Sequence, residues 1–219
     1  MVGTAYEDVV LTAPVSFGYR RSTTRTTPFY FGRILAALID RAGLDKDEID
    51  GLAVASYTLF PDSAAALTER FGLCLTWLDD FMIGGTSGVA AVRRAARAVQ
   101  AGDAEIIACI GADAMGKDSF AGLIANFSTV SRDYAYPYGM AGPNAIFAML
   151  TQNYMRVTGA TREDFGRICI AQRQNALDNP QALLRRPLDM AGYLGARPIA
   201  EPLHFTIVSC PVPAATAFW

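Results

Sequence analysis

The sequence predicts an α/β fold with a layered parallel or mixed sheet, and two neighbouring features predict it. A glycine-rich turn at residues 84–88 joins an apolar stretch that ends at Ile83 to an amphipathic helix over residues 89–100. After a short turn the uninterrupted apolar run 105–111 is typical of a fully buried strand. Strand, turn, helix and strand in this order form a βαβ unit, which favours a parallel sheet.

Composition predicts a folded chain and excludes several functions. The chain has 219 residues, of which 52% are hydrophobic and 18% charged, so it can bury a large core. With 19 basic and 21 acidic residues it has no strong positive field for nucleic acid or an anionic membrane. The four cysteines are widely spaced and form no CxxC pair, and His204 is the single histidine. We therefore expect no metal site within this chain and no resident cofactor.

The composition also indicates a cytoplasmic protein. The amino terminus has no basic segment followed by an apolar one, as a signal peptide would have. The longest uncharged stretch, residues 134–155, contains prolines and glycines that make it a poor membrane helix.

The elements before the glycine-rich turn follow from periodicity. Residues 1–27 are expected to be irregular. Apolar residues at helical spacing predict a helix from Pro28 to Ala42 that ends at Gly43. The run 52–55 predicts a short buried strand, and residues 63–71 a second helix closed by Gly72.

The later elements are less regular. In the helix at 89–100 we expect valines 89, 92 and 99 with Ala96 to face inward and arginines 93, 94 and 97 outward. Residues 117–144 predict an irregular excursion, and residues 145–157 a helix. Thr161 and Asp164 form a capping box for a helix that ends near Leu177. A last strand is expected at 205–210.

The glycine-rich turn is the candidate site. The start of a helix presents unpaired N–H groups and a favourable dipole for an anion, an oxyanion or a nucleophile. Gly84 and Gly85 let a ligand approach the backbone, and Thr86 and Ser87 add hydroxyls. The alternative interpretation is a packing turn capped by Thr86 or Ser87. The turn is not a GxSxG motif, because Val89 replaces its last glycine; an α/β-hydrolase with Ser87 as nucleophile is a third hypothesis.

The turn and its helix resemble the thiolase superfamily. Residues 84–88, then 101–104 and 110–115, are most similar to the sterol-carrier-protein-x thiolases and the lipid-transfer-protein group. The matches keep the family's order from about residue 80 to about residue 213. Further matching segments are residues 138–139, 154–155, 159–161, 175–176, 179–180, 202–203 and 209–211.

This resemblance implies a thiolase-like layered fold. It implies one amino-terminal domain over residues 1–219, with a loop excursion at about 117–195, and no carboxy-terminal thiolase domain. The tail at 212–217 departs from the Asp-Gly-Ala run that the family shows after its Cys-Pro pair.

The resemblance also implies a function. The family's reactive cysteine aligns with Gly85, so covalent acyl-cysteine chemistry is excluded at this position. We expect a thiolase-like protein of lipid or sterol metabolism that acts on a CoA thioester, as an acyltransferase or by retro-aldol cleavage. CoA or acyl-CoA is the expected ligand, and a homodimer or hetero-oligomer the expected assembly. The alternative is a non-catalytic binding or assembly subunit, or a truncated chain.

Individual residues follow from the same comparison. The substrate-binding candidates are Gly84, Gly85, Thr86, Ser87 and Met115. The catalytic candidates are Ser87 and Tyr138, the latter in an aromatic loop with Tyr134 and Tyr136. Each retains an alternative structural role in packing or capping. His204 is interpreted as a structural histidine rather than a base, cysteines 74, 109, 169 and 210 as packing residues, and arginines 93, 94 and 97 as a solvated face or CoA phosphate contacts.

Overall fold

The computed structural model describes residues 6–18, 23–114, 122, 128–140 and 142–207, and the backbone of 214–218. It divides into two compact units, residues 1–115 with 212–219 and residues 116–211. The predicted loop excursion at about 117–195 falls within the second unit. The assignment of the whole chain to one domain stays a prediction.

Strands and helices alternate through the first unit, and helices dominate the second. The strands are β1 (Val15–Phe17), β2 (Gly51–Ala55), β3 (Trp77–Phe81), β4 (Ile107–Asp113), β5 (Pro198–Ala200), β6 (Leu203–His204) and β7 (Ala214–Phe218). The helices are α1 (Thr27–Ala42), α2 (Ala64–Phe71), α3 (Ser87–Ala101), α4 (Thr129–Tyr134), α5 (Pro143–Thr158), α6 (Arg162–Leu177) and α7 (Met190–Leu194). Short 3₁₀ turns occupy Lys46–Glu48, Gly84–Thr86 and Tyr136–Tyr138.

The first unit contains a five-stranded mixed sheet in the order β1-β7-β4-β2-β3. Strands β2, β3 and β4 are parallel, and β7 runs antiparallel to both of its neighbours. In the parallel part Ala55 lies opposite Phe81 on one side and Gly111 on the other. The α/β prediction is confirmed, and the predicted βαβ unit is β3–α3–β4, with β2 between its two strands.

Helices cover both faces of this sheet. Leu52 and Val54 of β2 pack on α1 and α2 in one apolar cluster, whereas Ala53 and Ala55 pack on α3 in a second. Strand β4 alternates in the same way, with Ile110 in the first cluster. Successive side chains of a strand point to opposite faces, so a strand buried on both sides has a continuous apolar sequence.

The predicted inward face of α3 was wrong. Alanines 91, 95 and 98 are the buried ones and contact the sheet, whereas Val89 is 74% exposed. Val92 and Val99 are partly buried at the edge of this contact. The apolar pattern favoured the larger valines, but small side chains let the helix backbone approach the sheet closely, which leaves Val92 and Val99 at the edge of the contact and Val89 facing outward.

Most helix boundaries match their predicted signals. Helix α1 ends at Gly43 in the left-handed region, φ 68°, and α2 ends at Gly72 in the same way. The Ser63 hydroxyl accepts a hydrogen bond from the N–H of Ala66 at the start of α2. The capping box of Thr161 and Asp164 is present at the start of α6.

Four strands were missed, namely β1, β5, β6 and β7, and one was predicted wrongly. β1 lies in the stretch predicted to be irregular, because three residues are too few to show a period. β7 was not predicted either, since it is placed by pairing with β1 and β4, which are distant in sequence. Residues 205–207 form a turn rather than the predicted strand, and residues 208–210 lie outside the described ranges.

The second unit is built on the contact between α6 and α7. A Cβ added at Gly166 of α6 would lie 2.8 Å from Tyr193 of α7, which is buried. His204 in the β5–β6 hairpin is also buried, with Nδ1 donating to the carbonyl of Ala196 and Nε2 3.1 Å from a carboxylate oxygen of Glu201. These contacts are those of a structural histidine. Within the described ranges, no helix is long and apolar enough to cross a membrane.

We predict that Gly51→Ala destabilises the protein by about 1–3 kcal/mol, because the added Cβ would lie 2.5 Å from Cγ1 of Ile107 on the neighbouring strand. Urea denaturation measures the free energy of unfolding. Gly88→Ala is the control, since no described atom lies within 4 Å of its Cβ position and the glycine lies in a helix. Equal stabilities of the two variants would contradict the close strand contact.

Candidate functional site

The glycine-rich turn lies at the carboxyl edge of the parallel strands. Strands β2, β3 and β4 end at Ala55, Phe81 and Asp113, and their register brings these ends to one edge. In α/β sheets this edge is where ligands bind, because the following loops and helix N-termini converge there. The loop after β2, the turn after β3 and the residues after β4 therefore share one site.

The turn itself is closed by a side chain. Gly84 has a φ of +82°, which favours glycine. The Ser87 hydroxyl donates to the carbonyl of Gly84 at 2.7 Å and accepts from the N–H of Ile83 at 3.1 Å. Ser87 is buried, and Thr86 makes no capping hydrogen bond with its side chain. Neither residue caps the helix with its side chain, and the Ser87 hydroxyl instead closes the turn. The use of Ser87 as a nucleophile stays a prediction.

Gly85 is the open position of the turn. It is exposed, and no described atom lies within 4 Å of the place where its Cβ would be. The first N–H groups of a helix have no acceptor within the helix, and the dipole favours negative charge beside them. A ligand oxygen can therefore approach this turn without displacing a side chain.

A carboxylate at the end of β4 fixes the loop after β2. One oxygen of Asp113 accepts from the Ser56 hydroxyl at 3.0 Å, from the N–H of Tyr57 at 2.7 Å, and from the N–H and hydroxyl of Thr58, both at 3.0 Å. The Thr58 hydroxyl accepts in turn from the N–H of Ala114 at 2.9 Å. These bonds hold the loop to the end of the neighbouring strand.

Sequence reasoning singled out the segment 110–115, which contains Asp113, but missed residues 56–58. The available signal was a polar triplet, Ser-Tyr-Thr, directly after a strand whose five residues are all buried. The phenol oxygen of Tyr57 lies 3.3 Å from the position that a Cβ on Gly84 would occupy. Tyr57 is therefore in contact with the turn.

Apolar side chains surround this edge of the sheet. Phe60 follows β2 and is 77% exposed, while Met82 and Ile83 follow β3 and are 63% and 61% exposed. Such a concentration at the ends of two adjacent strands fits the binding of an apolar group.

The remaining candidates lie elsewhere or outside the described ranges. Tyr138 is 80% exposed in a 3₁₀ turn of the second unit. Met115 lies outside the described residues, so its predicted role stays a prediction. Arg94 pairs with Asp79 at 3.1 Å and stacks over Phe81.

The cysteines differ from one another. Burial raises the pKa of Cys109 to about 12 and also raises the pKa of Cys169, so both thiols are protonated at neutral pH. Cys74 was predicted to be a packing residue, but it is exposed, whereas its neighbours Leu73 and Leu75 pack against the core. Cys210 lies outside the described part of the chain. Among the described residues there is no group of three or more potential metal ligands.

The chain is similar to several curated proteins. It is 32% identical over 180 residues to a 17-hydroxy-3-oxo-4-pregnene-20-carboxyl-CoA lyase of Mycobacterium tuberculosis, a match that covers 78% of this chain and 46% of that protein. It is 33% identical over 183 residues to a steroid side-chain-cleaving aldolase of Thermomonospora curvata, covering 78% and 45%. The chain thus spans about half the length of these relatives.

Two solved structures are also similar to this chain. The Ltp2-ChsH2(DUF35) aldolase superposes with a TM-score of 0.79 at 27% identity, covering 95% of this chain and 54% of that one. A monomeric SCP2-thiolase-like protein type 1 of Mycobacterium smegmatis superposes with a TM-score of 0.65 at 15% identity, covering 95% and 44%, which shows the fold alone.

The resemblance inferred from the glycine-rich turn is confirmed at the level of the family. The family described as "Thiolase, N-terminal domain" matches residues 31–186, which is more than half of the chain. That range contains most of α1, all of α3, strands β2 to β4 and the whole candidate site. The chain therefore belongs to the thiolase amino-terminal domain family.

Proposed function

We propose that this protein is a thiolase-like enzyme of lipid or sterol metabolism that cleaves a carbon–carbon bond of a CoA thioester by retro-aldol chemistry. The observation that carries the proposal is Gly85, which stands open at the start of α3 where the family has its reactive cysteine. Two relatives with this chemistry in their names, a lyase and an aldolase, support it. Acyl transfer is the related activity of the family, but it needs the missing nucleophile.

Retro-aldol cleavage requires no thiol. A base removes the proton of the 3-hydroxyl group, the bond between C2 and C3 breaks, and its electron pair moves into the thioester as an enolate. C3 becomes a ketone or aldehyde, and the enolate takes up a proton at C2. Negative charge develops on the thioester oxygen, so hydrogen-bond donors held in place beside that oxygen accelerate the reaction.

The chain's own groups suit the enolate half of this reaction. The amides of the glycine-rich turn that precedes α3 can donate to the thioester oxygen, and the exposed apolar residues Phe60, Met82 and Ile83 can contact the acyl group. Thr86 is exposed beside them as a further donor. Tyr138 remains the candidate acid–base group. Acyl-CoA as the ligand agrees with the cytoplasmic location predicted from composition.

The proposal predicts that a larger side chain at Gly85 lowers activity and leaves stability nearly unchanged. We expect Gly85→Val to lower cleavage of 17-hydroxy-3-oxo-4-pregnene-20-carboxyl-CoA at least about tenfold, because the side chain would fill the space beside the amides. Stability should stay within about 0.5 kcal/mol, since the added atoms meet no described neighbour. Steady-state kinetics and urea denaturation measure the two effects.

The matched control is Gly18→Val. Gly18 follows β1, the outer strand of the sheet that lies farthest from β3, and its Cβ position is equally open. We expect that variant to retain activity. Full activity of Gly85→Val, or absence of cleavage and of thioester binding in the unmodified protein, would contradict the proposal.

A second candidate function, assembly with another thiolase-like half or subunit, is favoured by the outer face of α3. A groove of about 1160 Å³ runs along this face, between α3 and the segment at residues 6–14. It is lined by Val89, Val92 and Val99, and Val89 is 74% exposed. An apolar helix face of this size is typical of an interaction surface. The Ltp2-ChsH2(DUF35) aldolase carries two components in its name, which supports the same idea.

We predict that the protein runs above its monomer mass of 23.5 kDa in size-exclusion chromatography with light scattering, and that Val89→Asp shifts it toward that mass. A homodimer would give twice the monomer mass, and a hetero-oligomer a mass set by its partner. Val130→Asp is the control, because Val130 is 66% exposed but lies in the second unit. A monomer mass for the unmodified protein would contradict assembly through α3.

A further inference from the structure

A phenol oxygen is held against the glycine-rich turn. The oxygen of Tyr57 lies 3.3 Å from the position that a Cβ on Gly84 would take, so it touches the residue that precedes Gly85. Tyr57 is half-buried. Its hydroxyl makes no hydrogen bond to another residue of the described ranges, so the proton of the phenol is available to a ligand.

The backbone that carries Tyr57 is fixed. The N–H of Tyr57 donates to Asp113 at 2.7 Å, and the residues on either side bond to the same carboxylate oxygen. The Thr27 hydroxyl reaches Thr58 as well, at 2.8 Å from its hydroxyl oxygen. The backbone that carries the phenol is therefore anchored from β4 and from α1, independently of the turn that the phenol touches.

Gly84 leaves the space that the phenol fills. Its φ of +82° already disfavours a side chain, and any Cβ there would press on the phenol oxygen. Gly85, the next residue, is open on the side where a ligand would enter. The amides of the turn and the Tyr57 hydroxyl are thus neighbours at one exposed opening.

We propose that Tyr57 is a catalytic residue whose hydroxyl donates a hydrogen bond to the thioester oxygen bound at the start of α3, and that Asp113 is the residue that positions it. This inference rests on the proposed retro-aldol function and assigns a further donor to that site. The tyrosine keeps its proton: as the C2–C3 bond breaks and charge develops on the thioester oxygen, the hydrogen bond from the phenol to that oxygen becomes stronger. The enolate then takes its proton at C2, and the phenol is unchanged at the end of the cycle.

Tyr57→Phe tests the hydroxyl alone. With the same steroid thioester as substrate, we expect kcat to fall about 100-fold while KM changes less than about threefold, as for the loss of a donor that acts mainly in the transition state. The unfolding midpoint in urea should not change, because the hydroxyl bonds no described residue. Tyr154→Phe is the matched control, since Tyr154 is 54% exposed in α5.

Asp113 variants separate positioning from structure. Asp113→Asn keeps an oxygen that can accept the same bonds and should retain kcat within about fivefold, whereas Asp113→Ala should lose as much as Tyr57→Phe. The double variant Asp113→Ala, Tyr57→Phe should be no slower than either single variant, because both changes remove the same interaction. Additive losses would overturn the positioning role.

The outcomes distinguish the assignment of Tyr57 from the proposed retro-aldol function on which it rests. If Gly85→Val loses cleavage and Tyr57→Phe retains it, the Tyr57 assignment is overturned and the proposed function stands. If the unmodified protein neither binds nor cleaves the thioester, both are overturned. Loss of kcat in Tyr57→Phe, with unchanged stability and full activity of Tyr154→Phe, supports the assignment.

Discussion

The close contact of α3 with the sheet determines the rest of the site. Alanines 91, 95 and 98 bring the helix backbone onto strands that themselves carry alanines on that face. A helix held this near cannot slide or tilt without a clash, so its first turn is fixed at the strand ends. The amides at Gly85 therefore have a defined position, which is what stabilising charge on a substrate oxygen requires.

The second constraint is the carboxylate of Asp113, which has a structural role. Asp113 satisfies donors from three successive residues of another loop, and it thereby joins the ends of two adjacent strands. The arrangement orders a segment that has no regular structure and places an aromatic hydroxyl on the turn.

Much of the fold and of the candidate site could be predicted from the sequence. The predictions failed where contacts between residues far apart in the chain determine the structure. Periodicity and caps predicted α1, α2 and α6, because a helix is stabilised by residues near one another. The buried face of α3 was predicted wrongly, since hydrophobicity favours valine while close approach favours alanine. β7 and the contacts of residues 56–58 depend on partners far along the chain, which no local pattern contains. The turn could be found because glycine and hydroxyl residues cluster there, and the missing cysteine was visible only through the family resemblance.

The central claim is that a thioester binds at the start of α3 without becoming attached to the protein. The most direct measurement is peptide mass spectrometry after incubation with an acyl-CoA, with binding followed in parallel by isothermal titration calorimetry. We expect saturable binding and no acyl group on the peptide that spans residues 81–100. An acylated residue in that peptide would contradict it.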